Sequence, residues 1–177
     1  ADQGAEVIKI EPAEGDSSRT NGPFRDDDPN HDWAGYFVSL NRSKKSIVLD
    51  LKAEAGRTDL LALVKTADVL VENFRPGVME KLGVNFQQLR EQRPELITLS
   101  MPGFASNDQL RRDWKATEAV VAATAGAFTD MGFNRVLMGL NPCFSPLPLG
   151  SSYATCLGAS ALALALFGRE KTGSGDS

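Results

Sequence analysis

Two short segments place polar and cationic groups where a parallel sheet would deliver them to a ligand. They are Glu72-Asn73-Phe74-Arg75-Pro76-Gly77 and Ser100-Met101-Pro102-Gly103-Phe104. Each follows a run rich in β-branched residues, and open parallel sheets bind ligands beyond the carboxyl ends of their strands. Asn73 stands between a strand end and an Arg-Pro-Gly turn, a position from which an amide side chain fixes loop backbone. Neither segment is a phosphate loop. No GxGxxG follows the first strand and no GxxxxGK occurs anywhere, so dinucleotide and nucleoside triphosphate readings have no motif to rest on. Arg42, Lys44 and Lys45 cluster just ahead of a strand, as either a solvated face or a phosphate contact. Taken alone, Lys81 and Lys115 read as solvated lysines and Phe74 as core. Glu118 opens a helix, where the helix dipole stabilises an acid.

Other reactive residue types are sparse. His31 is the single histidine and lies in the acidic loop Asp26 to Asp32, where a surface imidazole is the reading. Cys143 and Cys156 form no CxxC pair and stand near no other metal ligands, so buried, reduced thiols and no metal site are expected.

The elements that must position these groups alternate. Strands are expected at Val7 to Ile10, Ser46 to Leu51, Asp68 to Val71 and Leu96 to Met101. Between the second and third strands, Leu60, Leu63, Val64 and Ala67 recur at helical spacing, so Ala53 to Thr66 is expected as an amphipathic helix on the sheet. Val78 to Leu82 and Phe86 to Gln92 give shorter helices. Lys115 to Ala127 and Tyr153 to Phe167 read as helices too, the second apolar or small along its length and therefore expected to be buried. Glu14 to Trp33, crowded with Asp, Gly, Pro, Asn and Ser, reads as a long surface loop. Gly132 to Leu149, with Pro142, Pro146 and Pro148, is excluded from regular helix. Alternation of this kind implies an α/β fold.

Composition narrows the partners. The 177 residues are 42% hydrophobic, enough for one cored domain. A net charge of −4 with a pI near 5.1 argues against general nucleic-acid or membrane-surface binding, which draws on excess Lys and Arg. The most hydrophobic stretch, Leu157 to Phe167, is too short to cross a bilayer. The opening residues form no basic, apolar leader, so a cytoplasmic location is expected. Gly4 reads as the cap of a helix whose residues are missing and Thr172 to Asp176 as a turn leading onward, so the chain is expected to be a fragment.

Three blocks carry a family resemblance. Gly4 to Glu11, followed by Gly15-Asp16 and Arg19, resembles the opening strand and loop of family III CoA-transferases, the group of formyl-CoA transferase, carnitine CoA-transferase and methylacyl-CoA racemase. Asn41-Arg42-Ser43-Lys44-Lys45-Ser46 running into Leu49-Asp50-Leu51-Lys52 is similar to their NRxKxSxxLDLK element. The most specific piece is Ala67 to Gly77, continuing through Met79, Leu82 and Gly83, and Arg169 to Gly175 resembles the family's RxxTGxG turn. The resemblance covers essentially the whole chain. It implies a Rossmann-like open, mainly parallel sheet with helices on both faces, incomplete relative to the family fold, over residues 1–177.

The resemblance also implies a site. Coenzyme A and its thioesters enter as substrate, with a carboxylic acid as acceptor, and no cofactor is bound covalently. Asn73, Phe74 and Arg75 fall on the nucleotide and pantetheine path, Lys81 and Lys115 at phosphate contacts, and Leu49 and Lys52 beside the adenine. Active members attack with an aspartate, forming a mixed anhydride and then an aspartyl-CoA thioester. Counting back from Thr172-Gly173, that aspartate falls at Ser151. An acylated serine is a plain ester, a poor donor back to a thiolate, and needs a general base. Glu118 keeps an acid where the family has aspartate, as a supporting group. Thr117 stands where the racemase branch needs histidine, which disfavours racemase chemistry. The resemblance thus leaves an acyl-CoA:carboxylate CoA-transferase beside a non-catalytic CoA-binding half, and implies a homodimer for the full-length protein.

Overall fold

The computed structural model describes residues 1–29, 31, 33–128, 139, 144 and 147–176. The chain forms two compact units, Ala1–Leu63 and Val64–Ser177.

In the first unit β1 (Val7–Glu11) pairs in parallel with β2 (Lys44–Val48), Val7 opposite Lys44 and Glu11 opposite Val48. β2 starts and ends earlier than its apolar pattern implies. Its partner ends at Glu11, and Asp50 then turns the chain by accepting the Lys52 N–H at 2.9 Å. The long loop is not featureless. A 3-10 turn spans Ser17–Thr20 with Asp16 as its cap, and α1 (Gly35–Leu40) follows it. α2 (Glu54–Val64) begins after the Asp50 turn, and Leu60 and Val64 of its apolar stripe are buried.

In the second unit β3 (Val69–Glu72) pairs in parallel with β4 (Ile97–Ser100), Val69 opposite Ile97 and Glu72 opposite Ser100. Apart from the shift of β2, the strands fall within a residue of where β-branched runs place them, and both pairs are parallel, as an α/β fold requires. Among the described residues they make two separate two-stranded sheets. α3 (Val78–Lys81) and α4 (Phe86–Gln92) lie between β3 and β4 in the chain. Asn85 sets the start of α4 by accepting the Gln88 N–H. Met79, Val84, Leu96 and Ile97 are buried.

α5 (Glu118–Thr124) and α6 (Leu149–Thr172) complete this unit. α5 is shorter than the pattern suggests, since Lys115 to Thr117 lie outside it. α6 is longer, beginning directly after Pro148, a residue that an N-terminus tolerates because its missing N–H would have no helical partner there. Of the proline-rich stretch Gly132 to Leu149, most lies outside the described residues, Cys143 included.

α6 corrects three expectations. Its 24 residues make it long and apolar enough to cross a bilayer, so the short-length argument against a span fails. Contacts with β4 and α5 instead tie it into the α/β unit. The helix is not buried: Tyr153, Leu157, Leu164 and Phe167, one stripe at helical spacing, are exposed. Cys156 is a free, exposed thiol rather than a buried one, because it lies on a helix of which only Gly158 is buried. That glycine has a reason. A Cβ there would stand 2.7 Å from Met101 Sδ, so a side chain fits only if that thioether swings aside.

Candidate functional site

The loop after β3 is held from within. Glu72 accepts the Phe74 N–H at 2.6 Å and the hydroxyl of Ser100 across the strand pair. Its carbonyl takes the Met101 N–H at 2.9 Å. One residue therefore fixes both segments singled out in the sequence. Arg75-Pro76-Gly77 closes as a turn, with the Val78 N–H on the Arg75 carbonyl at 3.1 Å. Gly77 sits at φ 80, which a side chain would resist. Asn73 and Arg75 are exposed, and Phe74 is 42% exposed rather than core. Arg75 donates Nη1 to the Asp113 carbonyl at 3.1 Å, bringing the segment before α5 to this loop. Lys81 in the last turn of α3 and Lys115 ahead of α5 are both exposed.

Ser151 and Glu118 meet. Ser151 lies in the first turn of α6, and its hydroxyl donates to Glu118 Oε2 at 2.6 Å. The same carboxylate takes the backbone N–H of Gly150 at 2.6 Å and of Ser151 at 3.1 Å. The first N–H groups of a helix lack helical acceptors, and α6 has no side-chain cap of its own. Glu118, reaching from α5, supplies one. The Ser151 hydroxyl pulls the Glu118 carboxyl below the ordinary glutamate range, with the two N–H groups adding to it against the opposing effect of burial. Glu118 is thus a weak base toward Ser151, and both N–H groups that could steady an oxyanion here are occupied.

The first unit holds a cluster that sequence reasoning left without a role. Glu11 is 3% exposed and grips Arg19 through two bonds, Nε to Oε2 at 2.8 Å and Nη2 to Oε1 at 2.9 Å. Ser46 Oγ and the Asp16 N–H donate to the same carboxylate. Asp16 pairs with Lys9, and Arg19 stacks 3.8 Å over Phe37. The Arg19 bond brings Glu11 down to about 2, outweighing burial. Burial alone would raise Asp16, but bonds from Lys9 and Ser18 win and bring it to about 2 as well. The available signal was a carboxylate ending an apolar strand, with Asp and Arg a few residues on.

Leu49 and Lys52 belong to this unit, just past β2. The Leu49 N–H bonds the Glu11 carbonyl at 3.0 Å, and the Lys52 carbonyl takes a bond from Arg57. His31 is exposed and stacks on Phe24 at 4.1 Å. Among the described residues, no three His, Cys, Asp or Glu side chains gather as a metal site. An open groove in the second unit, lined by Leu99, Leu162, Ala165 and Arg169 among others, holds none of the sequence-predicted residues.

Residues 1–177 match the profile of CoA-transferase family III. The chain is 60% identical over 176 residues to the CoA-transferase/lyase DddD of a Marinomonas species, covering 99% of this chain and 19% of the relative. It is 40% identical over 180 residues to an acetyl-CoA:oxalate CoA-transferase of Acetobacter aceti, covering 98% and 43%. A solved structure of a hypothetical Mycobacterium tuberculosis protein superposes with a TM-score of 0.84 at 36% identity, covering 99% of this chain and 46% of that one. The chain therefore spans less than half the length of these relatives. From the shares covered, the Marinomonas protein is more than twice as long as the Acetobacter one.

Proposed function

Since the chain belongs to CoA-transferase family III, we propose that it forms the part of an acyl-CoA:carboxylate CoA-transferase that binds the CoA thioester. Asn73, Phe74 and Arg75 line the path of the carrier, and Lys81 and Lys115 meet its phosphates, since a polyanion needs cations that a chain of net charge −4 must concentrate locally. The observation that carries this reading is the Glu72-braced loop. It holds an exposed phenyl ring and guanidinium in place before any ligand arrives, so little ordering cost is left to binding. Leu49 and Lys52 act in the first unit, beside the adenine. The full-length protein is a cytoplasmic homodimer that takes a carboxylic acid as acceptor, with no covalent cofactor, nucleic acid or membrane as partner.

Calorimetry of the full-length protein with coenzyme A and acetyl-CoA tests the reading. Saturable binding that Arg75→Ala and Lys115→Ala each weaken is the expected result. Wild-type protein that takes up neither ligand would refute it.

A second reading is favoured by Ser151: this chain is a CoA-binding half without chemistry of its own. The Ser151 hydroxyl is engaged by a carboxylate of lowered basicity, and an acyl-serine would lack the transfer potential of an anhydride. The 60% identity to a relative of more than double length fits a protein with room for the nucleophile elsewhere. Ser151→Asp separates the two readings. Under the second, hydroxylamine inactivation during turnover is unchanged by the substitution. A new hydroxylamine-sensitive acyl group at position 151 would instead show a site one side chain away from activity.

A further inference from the structure

Gly103, in the loop after β4, is the floor on which the segment carrying Lys115 and Glu118 rests. A Cβ built on Gly103 would stand 1.9 Å from the Ala116 Cβ, where carbons pack at about 3.5–4 Å. Gly103 is not at positive φ, so the glycine serves space rather than backbone conformation. An alanine methyl has no torsion that carries it aside, unlike the Met101 thioether against Gly158. One of the two backbones would therefore have to retreat. Ala116 is the crown of a three-residue turn, the Thr117 N–H bonding the Lys115 carbonyl at 2.9 Å. On one side of that turn, Arg75 holds the Asp113 carbonyl at 3.1 Å, and Phe104 meets Trp114 edge to face at 5.9 Å between ring centroids. On the other side, Glu118 opens α5 and accepts the N–H groups of Gly150 and Ser151. Gly103 itself has a fixed base, since Glu72 accepts the Ser100 hydroxyl through its carboxylate and the Met101 N–H through its carbonyl.

We propose that Gly103 is a positioning residue: its missing side chain seats the turn at Ala116, and that one contact sets both Lys115 for the ligand's phosphates and Glu118 for the start of α6. Lys115 stands one residue before Ala116 and Glu118 two after it, too close in the chain for the turn to move without them. A displaced ammonium loses a charge-assisted hydrogen bond, whose geometry tolerates only a few tenths of an ångström. A displaced carboxylate leaves the first N–H groups of a helix without acceptors. The part played by Lys115 rests on the CoA-binding reading, whereas the hold on Glu118 stands on the geometry alone.

The test moves a methyl group from one residue to the other in the full-length protein. Gly103→Ala is expected to weaken coenzyme A about tenfold, the loss of one charge-assisted bond, and to raise hydrogen exchange at the Gly150 and Ser151 amides several-fold. The Gln88 amide, capped by Asn85 elsewhere in the same unit, should exchange as before. In the swap, Gly103→Ala with Ala116→Gly, the new methyl meets only the Cα of residue 116 at 3.4 Å and its carbonyl oxygen at 3.6 Å, both ordinary contacts. Binding and exchange should then return to those of Ala116→Gly alone, which is expected to stay near wild type. Faster exchange throughout the unit, Gln88 included, would mean a merely structural role and overturn the proposal. So would a swap that restores neither readout, or a Gly103→Ala that changes only one of them or neither. Should Gly103→Ala not fold, the swap decides: folded protein with both readouts near wild type upholds the seat, and any other result overturns it. Wild-type protein that takes up no coenzyme A removes the underlying reading, and amide exchange then decides the hold on Glu118 by itself.

Discussion

Glu11 and Glu118 are both carboxylates held by several donors, and they are held for different ends. Glu11 is buried and faces a guanidinium that grips it with two bonds. Glu118 is half-buried and faces neutral donors, a hydroxyl and two backbone N–H groups at the start of a helix. A charge buried against a charge cannot be released without stranding its partner, so the first site is a fastening. A charge held by neutral dipoles can be exchanged for another acceptor at modest cost, so the second is a place where chemistry can be gained or lost.

The sharpest way to break this contrast is Glu11→Ala. It should lower stability by about 3 kcal/mol, the low end for a broken buried pair, since Arg19 can be partly rehydrated. Thermal unfolding reads it, and a loss no larger than that of Glu118→Gln would abolish the distinction. Acid should reproduce the effect. The Glu11 carboxyl is depressed from 4.5 to about 2, so its contribution is complete above about 4.5 and disappears as pH falls toward 2. The stability gap between wild type and Glu11→Ala should therefore close over that interval. A gap that widens on acidification would contradict the assignment.

Glu118→Gln comes next, at about 1 kcal/mol, the usual worth of a helix cap. It should raise hydrogen exchange at the Gly150 and Ser151 amides several-fold while leaving the Asp16 amide as it was. Ser151→Ala should be the mildest, about 0.5–1 kcal/mol for one hydrogen bond. Most of its effect should appear as a Glu118 titration moving back toward the ordinary range, followed by carbon-13 NMR of the carboxyl.

Much of this was legible in residues. Four strands, one of them shifted by two residues or more, the short helix Phe86–Gln92 and the two loops beyond β3 and β4 follow from β-branched runs, helical spacing and turn chemistry. What escaped depended on partners distant in sequence. An apolar helix implies that something covers it but not what, so α6 was expected to be buried when its stripe is exposed. Glu118 could be assigned to the first turn of α5, whereas its service to α6 needs the chain to bring back Ser151, 33 positions further on.

Gly158 has a mechanical consequence at some distance from itself. Ser151 lies seven positions nearer the amino end of the same rod, a lever arm of about 10 Å at 1.5 Å per residue. The glycine acts as its fulcrum, pressed on Met101. A methyl group there would meet the Met101 sulfur at 2.7 Å, and the thioether must swing aside for the rod to keep its place. The 2.6 Å bond of Ser151 is thus shielded from a contact two turns away by the freedom of one methionine side chain.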